Sequence, residues 1–550
     1  MVRNFFLFLQ VICSGMKNLT YIILCCLLGL ALFASMFQKT THLWNFTKLN
    51  GVEVPAPMPA LTFKNYVDGS FQSGTETYLM QNFGFREPIL RIYNQYLWDF
   101  YKKTYVSRGI LVFGKDGWLY EPWAVEDYYQ VHYHYYASNA EQMTQQLANE
   151  AKRVYQLQHI LEPYGTKLFV CLVPSKDMIY PEHLPENHNK NFEDETKMSA
   201  RTFYKEEYPK MGINFLDLEE YFMQVKDTAD FMLFPQTGTH WSKYGALFAA
   251  DTLIRYMEHL GDVNMQNLVI LPRTLEDAQS ADMDLESLLN LIRPLPKPQY
   301  YYAGTTTDKD STAVMPRMIV VGDSFWWNVV YQIPVQGIFS SSPYWYYNST
   351  IFYDPAYQSV KEVNLVNELL SSDFINLFYS TTQIYKMNNG FTKAALLALC
   401  YDPEEIDSVN RAIARGIRSD SAWMAKMEER AVSQGKPIEE VVHDEAQWLI
   451  TNYPEKYFTA LKDSIPTKRS KRVMDYMEMD SAAFVNREIE KIIRNIKSHE
   501  TQMEEIREKS IQQGKTFEQA LHDDALWIVQ RQLERGTLQL PKTAREKTKK

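Results

Sequence analysis

At 550 residues the chain is too long for one ordinary hydrophobic core, so two or three folded units are expected. Hydrophobic residues at 45% and charged residues at 23% describe a globular protein, and a formal charge of -10 argues against a nucleic-acid partner, which needs a basic surface. The Lys/Arg run at 542–550 is the one basic cluster and reads as a solvated terminus.

In chain order, the first element is the uncharged run LTYIILCCLLGLALFASMF, residues 19–37. As a helix rising about 1.5 Å per residue it nearly spans a hydrocarbon core of about 30 Å. No A-x-A cleavage pattern follows it, so it reads as an uncleaved transmembrane signal anchor. Arg3 and Lys17 precede it without an acid, which keeps 1–18 cytoplasmic and sends everything after Gln38 outward. Met16-Lys17-Asn18 also makes a good signal-anchor start, so Met1 and Met16 are both candidate start positions. Of five cysteines, three lie in or before this run, and Cys171 sits in an apolar stretch as a buried thiol. No metal-ligand spacing occurs, and neither a metal nor a cofactor is expected.

A linker (38–61) containing the Pro-rich VEVPAPMPAL leads into a helix around Glu87–Tyr101 and a hairpin, ILVFGKDGWLYE, turning at Asp116-Gly117. A helix capped at Asn139 and ending at Gly165 then feeds the apolar strand KLFVCLV (167–173). The alternation continues through GINFLDL (212–218), the helix SKYGALFAADTLIRYMEHL (242–260), RMIVVGDSF (317–325) and DFINLFYS (373–380). Continuous apolar strands separated by helices predict an α/β domain over 62–400, an open parallel sheet with right-handed crossovers.

Residues 401–550 are charged, Met- and Glu-rich and helical in pattern, and they contain a repeat. QGKPIEEVVHDEAQWLI (434–450) matches QGKTFEQALHDDALWIV (513–529), pairing Gly435 with Gly514, His443 with His522 and Trp448 with Trp527. The two units, about 405–450 and 484–529, read as a helical appendage with a Gly turn in each copy. The matched histidines read as packing or capping residues.

Chemistry concentrates at two loop edges. MIVVGDSF ends in Gly322-Asp323-Ser324, which places a hydroxyl on the turn after a parallel strand, at the carboxyl edge where α/β sheets build their sites. FPQTGTHWSKYGA supplies His240-Trp241 just before a helix. A serine nucleophile needs such an imidazole to take its proton. Other candidates for substrate contact are Lys176 beside Asp177 after the 167–173 strand, and the aromatics Trp241, Trp326, Trp327, Tyr344 and Trp345, able to stack on sugars. The run YYQVHYHYY (128–136) is a further aromatic stretch.

GKDGWLY (114–120), VPSKDMIYPEHLP (173–185), THWSKYG (239–245) and VVGDSF (320–325), in that order after an anchor, resemble the AlgX/AlgJ-like alginate O-acetyltransferases and their DHHW relatives, an SGNH-hydrolase-like group. The resemblance covers residues 62–380. It implies an SGNH-like fold, anchorage in the cytoplasmic (inner) membrane with the main domain periplasmic, and acetyl transfer to an exported polysaccharide through a serine acyl-enzyme. A separate multi-pass membrane acyltransferase would supply the acetyl group. Carried over by position, Ser324 is the nucleophile, His240 the base, and the Ser324 N–H an oxyanion donor in the Gly322-Asp323-Ser324 turn.

One departure matters. The group carries an acid two residues before the histidine, and this chain has Gly238 there. Loss of a triad acid costs on the order of 10⁴ in rate. Three outcomes follow: Asp230 or Asp227 replaces it, the site runs as a Ser–His dyad, or it no longer catalyses. An acetylesterase of the same group would use the same residues, and a non-catalytic glycan-binding scaffold would keep only the aromatic surface.

Overall fold

The computed structural model describes residues 21–541 except 31–32, 52–55, 106–109, 130–139, 186–198, 354–355, 498–499, 535–537 and 539. Asn139, most of the 128–136 aromatic run, Arg3, Lys17 and the 542–550 basic cluster lie outside the described residues. The chain forms two compact units. One comprises Met1–Pro122, Gln236–Thr239 and Gln279–Lys297, the other Trp123–Pro235, His240–Ala278 and Pro298–Lys550.

The first unit begins with helix α1 (Tyr21–Thr41), long and apolar enough to cross a membrane. Helices α2 (Phe63–Val67), α3 (Ser70–Gln81) and α4 (Arg86–Tyr101) follow. Strands β1 (Val112–Phe113) and β2 (Leu119–Tyr120) then pair antiparallel. Their turn uses positive φ at Asp116 and Gly117, as the Asp-Gly pair predicts. Leu111 and Leu119 pack with Leu285, Leu289 and Leu295.

The second unit is built on a seven-stranded sheet. Helix α5 (Ala140–Leu161) precedes β3 (Lys167–Val173), α6 (Ala200–Met211), β4 (Phe215–Asp217), α7 (Lys243–Gly261) and β5 (Met318–Gly322). Then come α8 (Phe325–Val330), β6 (Tyr344–Tyr346), β7 (Thr350–Tyr353), β8 (Ala356–Ser359), α9 (Leu365–Ser371), β9 (Phe374–Ser380) and α10 (Phe391–Cys400). The strand order is β8-β7-β6-β5-β9-β3-β4. Strands β6, β5, β9, β3 and β4 run parallel, while β7 and β8 add an antiparallel edge that the reading of 317–380 lacked. Strands adjacent in sequence pair antiparallel there, which needs no crossover helix.

Strand β3 has the bounds of its apolar run, and its side chains alternate between two cores. Leu168, Val170 and Leu172 face one; Phe169, Cys171 and Val173 face the other. Ile319 and Val321 of β5 join the first, and Met318 and Val320 the second. Burial on both faces is why these strands read as unbroken hydrophobic sequence.

Arg317, fully buried, fixes the start of β5. Its guanidinium pairs with Glu368 and Ser372, and its N–H donates to Asp373 Oδ2 at 2.8 Å. Replacing Arg317 with Met leaves the Glu368 carboxylate buried without its cation, an expected cost of about 3–5 kcal/mol in urea or thermal unfolding. Arg317→Met with Glu368→Leu should recover most of it, because the stranded charge is then gone.

Most of the C-terminal helices fall into two triplets: α11 (Pro403–Ser419), α12 (Ser421–Gln434) and α13 (Ile438–Asn452), then α14 (Ser481–Lys497), α15 (Glu500–Gln513) and α16 (Phe517–Glu534), with the short helices Pro454–Tyr457 and Lys471–Glu478 between them. Gly435 and Gly514 end α12 and α15 at φ +64 in both copies, the left-handed cap that glycine adopts without steric cost.

Candidate active site

Strand β5 delivers the nucleophile turn. A Cβ at Gly322 would stand 2.4 Å from the Phe378 carbonyl oxygen of β9, so only glycine lets the strands close at this height. Asp323 is buried. Its Oδ2 accepts from Ser380 N–H at 2.7 Å and the Ser380 hydroxyl at 2.6 Å, and its Oδ1 from Phe325 N–H at 3.1 Å. The Tyr344 hydroxyl donates to the Asp323 carbonyl. Burial raises the Asp323 carboxyl from its ordinary range, while its Ser380 and Phe325 donors favour the anion. These bonds tie the turn to the end of β9 and leave Ser324 half-buried at the start of α8.

His240 comes from the loop before α7, which is capped by Ser242: the Ser242 hydroxyl accepts from Gly245 N–H at 3.0 Å and donates to the Met232 carbonyl at 2.7 Å. His240 Nε2 lies 2.9 Å from Ser324 Oγ. The Phe325 ring meets the imidazole edge-on at 4.7 Å between centroids. A hydroxyl just after a parallel strand, within hydrogen-bond reach of an imidazole, can give up its proton and attack a carbonyl carbon.

Two candidates for the missing acid fall elsewhere. Asp230 is exposed, with both oxygens on the Arg273 guanidinium, and this pairing holds its carboxyl below the usual range. Asp227 is also exposed. Within the first unit the Gln236–Thr239 segment is held by 279–297 instead. Asp284 Oδ1 accepts from Thr239 N–H at 2.7 Å and Leu285 N–H at 2.9 Å, and Glu286 N–H donates to the Thr237 carbonyl at 3.2 Å. The Thr239 amide held by Asp284 is the residue immediately before His240 in the chain.

Most of the substrate-contact candidates turn out to be core. Trp241, Trp326, Tyr344 and Trp345 are all at or below 2% exposed, so none presents a ring face to solvent. Lys176 is buried too, its Nζ donating to the Pro235 carbonyl at 3.4 Å. An aromatic run at a strand end reads alike whether it faces ligand or core, and here the core took it. Trp327 alone of the group is half-buried, stacked at 5.5 Å on the exposed ring of Tyr331.

Tyr347 reads in the sequence only as the last of the aromatic stretch 344–347, with nothing to mark a contact to Ser324. It follows β6, whose Tyr346 pairs with Gly322, and its N–H donates to the Gly322 carbonyl at 2.9 Å. Tyr347 and Asn348 both take positive φ, 47 and 49, a conformation costly for a tyrosine. The bend brings the Tyr347 phenol to the hydroxyl and backbone N–H of Ser324. Burial and the Asp323 carboxylate raise the phenol well above its ordinary range, so it remains a proton donor.

Behind the site, burial pushes the Asp177 carboxyl up to about 7, against a hydrogen bond from Ser175. Burial and the neighbouring Asp177 also raise Asp127. A folded-state pKa above the unfolded value near 4 means that Asp177 favours the fold most below about pH 4, a contribution lost as pH rises through about 7. Asp177→Asn should therefore lose less thermal stability than the parent between pH 5 and pH 8, by a few kcal/mol at most, read from melting temperature against pH.

Residues 111–332 match the family described as SGNH hydrolase-like domain, acetyltransferase AlgX. The chain is 26% identical over 302 residues to the probable alginate O-acetylase AlgJ of Pseudomonas aeruginosa, covering 51% of this chain and 70% of that protein. A second probable alginate O-acetylase AlgJ, from Pseudomonas syringae pv. tomato, is 30% identical over 193 residues, covering 34% of this chain and 42% of that one. Among solved structures, the O-acetyltransferase domain of Pseudomonas putida AlgJ aligns at TM-score 0.30 and 19% identity, over 52% of this chain and 87% of that domain. Pseudomonas aeruginosa AlgX aligns at TM-score 0.31 and 12% identity, over 51% and 65%.

Proposed function

We propose, from the match of residues 111–332 to the SGNH hydrolase-like AlgX acetyltransferase family, that the chain is an extracytoplasmic O-acetyltransferase acting on hydroxyls of an exported polysaccharide. The observation that carries the reading is the 2.9 Å approach of His240 Nε2 to Ser324 Oγ. In this mechanism His240 takes the Ser324 proton as Oγ attacks the acetyl carbonyl carbon of the donor. The tetrahedral oxyanion is met by the Ser324 N–H and the Tyr347 hydroxyl. Collapse breaks the bond to the donor's leaving group, which receives the proton from His240 and departs, leaving acetyl-Ser324. A sugar hydroxyl then gives its proton to His240 and attacks the ester. Release of Ser324 Oγ, reprotonated by His240, completes the transfer.

The stacked Trp327 and Tyr331 rings support the polysaccharide half of the reading, since an exposed aromatic face suits a sugar ring. Helix α1 is read as the anchor that keeps the domain at the inner membrane, where a multi-pass acyltransferase would deliver acetyl groups. The name AlgJ carried by both relatives favours alginate-like uronate polymers as the first acceptors to try.

The test is intact-mass analysis of the full chain in detergent after p-nitrophenyl acetate, followed by addition of oligosaccharide. An acetyl adduct that moves to the sugar faster than to water supports the transferase. An adduct discharged equally by water makes the protein an esterase. No adduct, with sugar binding intact, leaves a glycan-binding scaffold.

Gly238 gives Asp284 added importance. By holding the Thr239 amide, Asp284 acts as a positioning residue for the loop that continues into His240. Asp284→Ala should slow adduct formation about tenfold or more, from the loss of charge-assisted bonds to two backbone amides. A circular dichroism melt should show the fold intact.

A further inference from the structure

Helix α4 has two apolar faces, and among the described residues only one is covered. Inward, Asn94 is fully buried, donating to the Leu289 carbonyl at 2.9 Å and accepting from Tyr105 N–H at 2.9 Å, while Trp98 packs on Phe113 at 5.4 Å. Outward, Ile89, Ile92, Tyr93, Tyr96 and Phe100 recur at helical spacing and all are exposed, Phe100 to 71%. A soluble surface scatters such side chains singly; a continuous stripe of them marks an interaction face.

The same helix is fastened to α1. Gly84, between α3 and α4, is pressed so closely on α1 that a Cβ there would stand 2.3 Å from the Ser35 carbonyl oxygen. Its N–H donates to Ser35 Oγ at 3.1 Å, and Lys39 Nζ donates to Asn82 Oδ1 at 3.1 Å. The start of α4 therefore sits at the last turns of α1, the level at which an anchor leaves the bilayer. Tyrosine is enriched at that level, where one end of the ring is apolar and the other wet.

We propose that the outer stripe of α4 lies in the headgroup region of the bilayer that α1 crosses, so that the protein is seated on the membrane surface as well as anchored through it. The inference rests on the anchor reading of α1. Its test uses the full chain, with Cys13, Cys25 and Cys26 replaced by Ser, in phosphatidylethanolamine–phosphatidylglycerol vesicles. Single nitroxide labels are placed through Ile92→Cys or Tyr96→Cys. Leu28→Cys in α1 and Lys115→Cys in the hairpin serve as references. The oxygen-to-nickel accessibility ratio at 92 and 96 should exceed that at 115 several-fold and fall below that at 28. Ratios at 92 and 96 equal to that at 115, with 28 in lipid, overturn the seating but keep the anchor. An aqueous 28 overturns both, and labels at 92 and 96 shielded from both reagents would mean a protein partner instead of lipid.

Discussion

Ser324→Ala should abolish the acetyl adduct altogether and lower acetyl transfer by on the order of 10⁴- to 10⁶-fold, the range seen when a serine nucleophile is removed. The oxygen that forms the ester is gone, and no neighbour replaces it. His240→Ala should fall nearly as far, because Ser324 then has no base at 2.9 Å, yet it retains the atom that is acylated. The two variants separate on prolonged exposure to a reactive ester. His240→Ala should accumulate adduct slowly at high pH, where hydroxide removes the proton, and Ser324→Ala never. Combining both should cost little more than either alone, since the pair acts as one device. An adduct on Ser324→Ala would move the nucleophile elsewhere.

Tyr347→Phe should cut transfer by roughly 10²- to 10³-fold, the cost of one lost oxyanion donor, with little change in the apparent affinity for the acceptor. A donor aimed at developing charge works in the transition state and hardly at all in the ground state, so the loss belongs in kcat. The ring remains to fill its place, and the backbone bond from Tyr347 N–H to Gly322 is untouched by the change. A raised KM at constant kcat would instead make the phenol a substrate contact.

Ser324 and His240 were legible because each stands in a motif whose chemistry depends on position: a serine just after a buried strand, a histidine just before a capped helix. The strands were legible for a related reason. Lys167–Val173 lies between Gly165 and Pro174, and burial on both faces leaves only apolar side chains from Leu168 to Val173. The hold on the loop before His240 was not legible. Gly238 breaks the local pattern, and the carboxylate that grips the adjoining peptide, Asp284, comes from a distant stretch with no recognisable spacing.

The place of Tyr347 beside Ser324 was hidden for a different reason. In the sequence YWYYNS it looks like one more strand residue, and only the left-handed backbone at 347 and 348 turns its phenol back toward Ser324. Composition also misled about depth. Lys176 and Asp177, candidates for substrate contact in the sequence, are buried after β3, with Asp177 in electrostatic reach of Asp127, Arg201 and Glu219. Likewise Trp241, Trp326 and Trp345 are the largest plugs in the interior, where sugar-stacking rings had been expected.

The strained bend at Tyr347 sets stability and activity against each other at a single codon. Asparagine or glycine relaxes a positive-φ position, by about 1 kcal/mol where the backbone is otherwise unchanged. A library screened for thermal tolerance alone would therefore enrich replacements at 347 and discard the phenol.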